Sequence, residues 1–332
     1  MSDTIDIFDT INNKYRILKQ IGSGVYGKIY KVKDEKEYLL KAMKVNKTEQ
    51  KYKVSIKIEK SILEELNLLQ IENEELVPIL YETVTFKKHI CFIMKLYDIN
   101  LYKFQIINYN NDNYNIDFIL SITKQIVLGI NFIHNNKIIH NDIKPENILF
   151  KENRENIIIC DFGLSQKIES EFIEYSHLIQ SSYYRSPEVS IHLKYNNKID
   201  VWSIGTIIYE LLLNTVLINA KNDYDIIGKI VTVIGNPSNK LIESDIKWKI
   251  YFNILSYEKS YAFLNTGEKQ YSPFSIKIDK KKINNKFVKS DDYNDSEKIK
   301  FIWMLLRKTL KWDMNERLST KQILDLFNYY KY

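Results

Sequence analysis

Cysteine, proline and glycine are scarce in this sequence, with two, five and nine copies among 332 residues. Cys91 and Cys160 are too few for a disulfide framework and have no metal-ligand spacing, which suits a reducing compartment. The chain does not open with a basic stretch followed by an apolar core. Residues 1–10 carry Asp3, Asp6 and Asp9 instead, so no signal peptide is read. No apolar stretch is expected to reach the roughly 20 residues that span a bilayer. A strong charge of one sign is lacking as well. The 48 Lys and Arg against 42 Asp and Glu leave a formal net charge of +6, too mild for a dedicated nucleic-acid binder. These absences point to a soluble, intracellular chain whose 45% apolar content can bury one large or two moderate cores.

Lys, Asn, Ile and Tyr are abundant, a profile that reflects an A+T-rich coding sequence rather than a function. Alternation of apolar and polar residues predicts strands over 15–21, 28–32 and 38–45, a β-meander with glycines between the first two. Residues 51–71 switch to helical spacing, with Ile58, Ile62, Leu63, Leu66 and Leu69 on one stripe. Strands over 79–85 and 89–96 complete a small β-rich region with one helix. From Leu101 onward helical periodicity dominates, over 116–135, 199–213, 223–234 and 299–310. Residues 255–298 show the least pattern, and six lysines fall within 277–289 against Asp279 alone. That stretch reads as a solvated surface insertion or, alternatively, as a docking or nuclear-import patch around Lys280, Lys281 and Lys282. No internal repeat is present.

The chemistry lies in Ile139-His140-Asn141-Asp142-Ile143-Lys144-Pro145-Glu146-Asn147-Ile148-Leu149, followed by Asp161-Phe162-Gly163. These residues supply a carboxylate to orient a hydroxyl nucleophile and a cation for a transferring phosphoryl group. They also supply an amide and a carboxylate with the hard oxygens that Mg²⁺ prefers. Upstream, Ile21-Gly22-Ser23-Gly24-Val25-Tyr26-Gly27-Lys28-Ile29 forms a G-x-G-x-x-G loop, in which glycine lets backbone N–H groups approach phosphate oxygens. The loop alone also fits a dinucleotide-binding turn, but that turn needs a helix next, and a second strand-like run follows here. Together the motifs resemble those of the eukaryotic protein kinases, and the resemblance runs from about Tyr15 to the C-terminus.

The resemblance implies an α+β, bilobal protein kinase fold over residues 15–332. A small antiparallel β-rich N-lobe with one main helix covers about 15–96, a larger, mostly helical C-lobe about 97–332, and residues 1–14 form a short extension. ATP and Mg²⁺ are the implied cofactors. Lys44, in Tyr38-Leu39-Leu40-Lys41-Ala42-Met43-Lys44-Val45, is similar to the third-strand lysine that meets the α- and β-phosphates. Strand alternation puts Ala42 and Lys44 on one face and turns the rival Lys41 away. Glu59, followed by Ile62, Leu63 and Leu66, is the implied carboxylate partner of Lys44, while Glu64 and Glu65 fall on a solvated face. Met94 stands as gatekeeper and backbone groups of Lys95 and Tyr97 meet adenine. Ile21, Ile29, Ala42 and Leu149 enclose the nucleotide, and Gly22, Gly24 and Gly27 form the phosphate loop. Asp142 orients the acceptor hydroxyl, Lys144 offers charge to the γ-phosphate, and Asn147 and Asp161 bind metal. Ser186-Pro187-Glu188 resembles the close of an activation segment, with Arg317 as the buried partner of Glu188. Asp200 opens the helix that braces the catalytic loop.

Asn141 stands where most protein kinases carry an arginine that reads an activation-segment phosphate. That substitution, with Asp-Ile-Lys-Pro-Glu-Asn behind it, is similar to SR-protein kinases and LAMMER-type kinases. Residues 179–188 resemble the segment of the dual-specificity Tyr-regulated kinases, and all three belong to the CMGC group. Two departures follow. The LAMMER motif is absent, and Ser176-His177-Leu178 replaces the Tyr-x-Tyr pair, leaving Tyr175 out of step. Ser181 aligns with the hydroxyl that bridges Asp142 and Lys144 in the family, which favours Ser/Thr acceptors. Glu146 faces an arginine upstream of the acceptor in the SR-kinase reading, and Arg185 favours a small residue or proline just after it. Cys160 borders the phosphate region and is read either as an inert small hydrophobe or as a thiol open to an electrophilic nucleotide mimic.

The expected activity is ATP-dependent transfer to Ser/Thr hydroxyls of proteins, arginine/serine-rich ones among them, by a monomer with no membrane partner. A nucleotide-binding pseudokinase scaffold is the alternative. A nucleic-acid binder would rest on the lysine run alone.

Overall fold

The computed structural model describes residues 9–70, 74–111, 114–255, 260–263 and 293–332, together with 7 and 287. All six lysines of the 277–289 run, and hence the Lys280–282 patch, lie outside the described residues. The chain divides into two compact units, 1–100 with 147–166, and 101–146 with 167–332.

The first unit is built on a six-stranded antiparallel sheet in the order β1-β2-β3-β4-β6-β5. Its strands are β1 (Thr10–Ile11), β2 (Tyr15–Ser23), β3 (Gly27–Asp34), β4 (Leu40–Asn46), β5 (Leu80–Phe86) and β6 (His89–Lys95). The alternating pattern does what its period requires. Tyr15, Ile17, Tyr30, Val32, Met43, Val45, Cys91 and Ile93 form the buried core on one face. Ile29 pairs with Lys44 and Ala42 with Met94 on the other. The third strand begins at Leu40 rather than at residue 38, because Tyr38 adopts a left-handed φ of +58. Lys41 points away from Lys44 yet stays buried, held 2.9 Å from Asp34 and 2.5 Å from Glu37.

Helix α1 (Lys53–Leu69) buries Ile56, Glu59, Ile62, Leu63 and Leu66. The apolar stripe is therefore rotated from the one expected: Ile58 and Leu69 are 40% and 51% exposed, and Ile56 takes the inward place. A hairpin of β7 (Ile148–Phe150) and β8 (Ile157–Ile159) joins this unit although it lies some fifty residues beyond β6. Asp98 N donates to Phe150 O and Ile159 N to Leu76 O, so the hairpin's backbone is satisfied here.

The second unit is helical: α2 (Leu101–Asn108), α3 (Ile116–Asn135), α4 (Pro187–Ser190), α5 (Lys198–Leu213), α6 (Asp223–Ile234), α7 (Asn239–Glu243), α8 (Ile246–Tyr251), α9 (Tyr293–Thr309) and α10 (Thr320–Tyr330). A small hairpin of β9 (Phe252–Leu255) and β10 (Ser260–Phe263) accompanies them. Helix α5 is buried nearly all round and ends at Asn214, whose left-handed φ of +53 stops it. Helix α9 starts six residues before the expected 299. By length and composition α3 could cross a membrane, contrary to the expectation that no stretch would qualify. Its Ile119, Ile122, Ile126, Ile130 and Ile133 are buried within the unit, the pattern of a core helix.

Candidate active site

In the first unit, three of the expected residues converge. The Lys44 ammonium on β4 lies 2.5 Å from Glu59 Oε1 on α1 and 3.0 Å from Asp161 Oδ1. Alternation turns Lys44 off the core face and the helical repeat turns Glu59 inward, so the two meet. Burial works against the Lys44 charge, but the Asp161 and Glu59 carboxylates outweigh it and hold its pKa above the ordinary lysine value. Burial pushes the Glu59 carboxyl up, against the pull of Lys44. Glu59 Oε2 is buried and has no partner among the described residues. Asn147 O accepts from Cys160 N at 2.9 Å, which ties the residue before β7 to the residue before Asp161. Asp161 itself adopts φ +67.

Within the phosphate loop the glycines differ. A Cβ at Gly27 would fall 2.1 Å from Val45 O, so only glycine permits β3 to approach β4 there. A Cβ at Gly24 would meet nothing within 4 Å, and one at Gly22 only ordinary contact with Ile29. The Tyr26 ring packs against Gly163, where a Cβ would come within 2.9 Å of it. Ile21, Ile29, Met94, Lys95, Tyr97 and Leu149 are half-buried, and Ala42 is buried. Lys95 N donates to Ile79 O at 3.0 Å, so that N–H is already engaged. The Tyr97 hydroxyl accepts from Ile79 N and donates to Glu75.

In the second unit, Lys144 Nζ lies 2.7 Å from Asp142 Oδ2 and 2.9 Å from Ser181 Oγ. Ser181 donates to Asp142 Oδ1 through both its hydroxyl (2.8 Å) and its N–H (3.1 Å). Asp200 receives His140 N and Asn141 N at 2.9 and 3.0 Å, fixing a loop in which Asn141 has φ +66. Arg317 grips Glu188 with both guanidinium ends at 2.6 and 2.7 Å and lies over the Trp202 ring.

Two groups that sequence reasoning passed over stand beside this cluster. The Glu210 carboxylate accepts from the Tyr184 hydroxyl at 2.7 Å, and burial pushes its carboxyl up to about 7, with the Glu146 charge adding to the rise. Its signal was a lone acid inside the apolar run Ile207-Ile208-Tyr209-Glu210-Leu211-Leu212. Gln180 is the other, with its N–H on Asn141 O and its side chain bonded to Ser186, Ile199 O and Ser203.

The family described as protein kinase domain matches residues 15–327. The chain belongs to that family. Its fold is the bilobal protein kinase fold, and the β-rich and helical units are the two halves. The "Dual specificity tyrosine-phosphorylation-regulated kinase 2" of Drosophila melanogaster is 31% identical over 94% of the chain. The type 3 kinase of that name from Mus musculus is 32% identical over 74%. "Serine/threonine-protein kinase ppk15" of Schizosaccharomyces pombe is 34% identical over 79%. The dual-specificity relatives are a CMGC subfamily. The chain spans 41%, 41% and 47% of these three proteins' own lengths.

Proposed function

We propose that this protein kinase transfers the γ-phosphoryl group of ATP to serine and threonine hydroxyls of protein substrates. The observation that carries the reading is the closed trio of Asp142, Lys144 and Ser181. It fixes a carboxylate and a cation at one place and fills the family's expected hydroxyl bridge. Asp142 orients the acceptor hydroxyl and takes its proton. The hydroxyl oxygen bonds to the γ-phosphorus as the bond from that phosphorus to the bridging oxygen of ADP breaks. Lys144 offsets the charge that develops on the phosphoryl oxygens. On the nucleotide side, Lys44 meets the phosphates and Glu59 and Asp161 hold it in place.

The residues fit a nucleotide and a divalent ion. Gly24 leaves open space where a side chain would intrude, and Asn147 and Asp161 offer hard oxygens of the kind Mg²⁺ takes. When bound, ATP and Mg²⁺ supply the phosphoryl group and the charge that neutralises its oxygens. Ile21, Ile29, Ala42, Met94 and Leu149 would enclose the base, with Lys95 and Tyr97 supplying backbone contacts.

Three finer points extend this reading. Glu146 is exposed and adds its charge to that felt by Glu210, which supports an arginine upstream of the acceptor and hence arginine/serine-rich substrates. Arg185 engages the carbonyls of Ile179 and Gln180, with Gln180 at φ +59. The N–H of a residue following the acceptor then finds no carbonyl there, which supports proline or a small residue. Activity is independent of activation-segment phosphorylation, because Asn141 offers no charge to a phosphate. Cys91 and Cys160, neither in a disulfide, suit an intracellular address.

Transfer from radiolabelled ATP to an arginine/serine-rich peptide tests the reading, with Asp142→Asn alongside. Loss of transfer in the variant is expected. A protein that binds nucleotide but transfers nothing would support the scaffold alternative, and loss of transfer after phosphatase treatment would defeat the phosphorylation-independent part.

A further inference from the structure

We propose that Asp223 is the positioning residue for the acceptor side of this kinase, an internal carboxylate that holds Arg185 where an activation-segment phosphate would otherwise be needed. The inference rests on the kinase reading above and adds a residue that the sequence motifs do not point to.

Arg185 is only 7% exposed, and a guanidinium so placed requires a counter-charge. Asp223 supplies it, with Oδ1 2.6 Å from Arg185 Nη1. The remaining Arg185 donors go to backbone: Nη2 to Gln180 O at 2.9 Å, and Nε to Ile179 O and Gln180 O at 3.2 and 3.3 Å. Asp223 is the first residue of α6, which Asn222 caps by accepting from Asp225 N at 2.9 Å. A carboxylate in the first turn of a helix also suits the helix dipole. The second oxygen of Asp223 faces His192 Nε2 at 3.7 Å, and the His192 ring is stacked at 4.4 Å by Tyr175. Tyr175 thus packs on the imidazole that faces the carboxylate.

The clamp reaches the acceptor machinery in two residues. Arg185 fixes the Gln180 carbonyl while Gln180 N donates to Asn141 O, and the next residue, Ser181, donates to Asp142. Removing the Asp223 charge frees Arg185 to release the Gln180 carbonyl. An acceptor followed by proline, which lacks an N–H, loses its advantage when that carbonyl becomes available. The loss falls on selection more than on the chemical step.

The test is a set of steady-state measurements on two peptides that differ only by proline or alanine after the acceptor serine. In Asp223→Asn, kcat/KM for the alanine peptide is expected to rise about tenfold, mainly through KM, because its N–H gains the released Gln180 carbonyl, while the proline peptide changes less than about threefold. Asp223→Glu should keep the preference. Asp225→Asn, which removes the same charge from the same helix turn without touching Arg185, should leave both peptides unchanged. Phosphatase treatment should not alter the preference of the unmodified protein. If Asp223→Asn does not fold, Arg185→Lys, which retains the charge and loses the forked bonds, takes its place with the same expected loss of preference. An equal fall on both peptides, an unchanged preference, or a preference that vanishes on dephosphorylation would overturn the proposal while leaving the kinase reading intact. No transfer by the unmodified protein to either peptide would remove the kinase reading and this inference with it.

Discussion

Each unit contains a buried ion pair, and the two are finished differently. In the second unit Arg317 meets Glu188 with both ends of its fork, and its other N–H groups go to Lys311 O, Lys198 O and Trp312 O. Its plane rests on Trp202. In the first unit Lys44 reaches Glu59 through one oxygen only, the other oxygen of Glu59 is buried with no partner among the described residues, and Asp161 shares the same ammonium. A saturated pair resists replacement and works as a pin. A pair with polar capacity left over is costly for the fold and makes sense where a ligand will use it.

Replacing both partners by apolar residues should expose this contrast, and this is the largest effect expected. Glu188→Met with Arg317→Met also strands the carbonyls that Arg317 serves, and at about 1–3 kcal/mol for a buried acceptor left unpaired a loss of about 3 kcal/mol or more is expected in denaturant unfolding. Lys44→Met with Glu59→Met should stay within about 1 kcal/mol of the parent, or gain, because an imperfect buried pair gives way to packing. The same double change should lower phosphate transfer about a hundredfold or more through lost charge stabilisation. Equal destabilisation of the two double variants would break the comparison.

Glu210 sharpens it by a smaller amount. Its carboxyl stands at about 7 in the fold against 4.5 outside it, because burial disfavours the charge. The folded chain therefore holds an extra proton between those values, and stability falls as pH rises through that window. At about 1.4 kcal/mol per pH unit the gap corresponds to up to about 3 kcal/mol. Unfolding measured at pH 5 and pH 8 should show this loss in the parent and a flatter profile in Glu210→Gln. The same slope in both would assign the effect to another group.

Local chemistry was legible wherever a short-range rule decides it. Alternation separated Lys44 from Lys41, and resemblance to the family's E-x-x-x-L pattern picked out Glu59 from Glu64 and Glu65. The α1 stripe was misjudged for an instructive reason: the inward face is centred on a charged residue, so counting apolar positions alone rotated it toward Ile58. Lys41 shows a related limit: Glu37 and Asp34 lie only four and seven residues back, but alternation alone does not show that the intervening turn folds both onto the lysine. The division of the chain was the least legible part. The hairpin at 148–159 belongs to the first unit through backbone bonds to residues 76, 98 and 99, partners fifty or more residues away. Two-residue strands such as β1 carry too few positions for a period to register.

The phosphate loop repeats the contrast between pin and opening at the scale of single atoms. A methyl group at Gly27 would overlap the Val45 carbonyl at 2.1 Å, and the obstacle is backbone at the end of the β3–β4 ladder, so the two strands would have to part there. Gly27→Ala should cost about 1–3 kcal/mol, the usual range for overpacking. Gly24 has empty space in the same direction, so Gly24→Ala should change stability by less than about 0.5 kcal/mol, as surface substitutions do. Its effect should appear only with nucleotide, as a rise in KM for ATP, because a methyl group there hinders close approach of phosphate oxygens to the loop backbone. If Gly24→Ala left KM for ATP unchanged, the open space beside it would have no part in binding phosphate, and the loop would be a turn held by Gly27 alone.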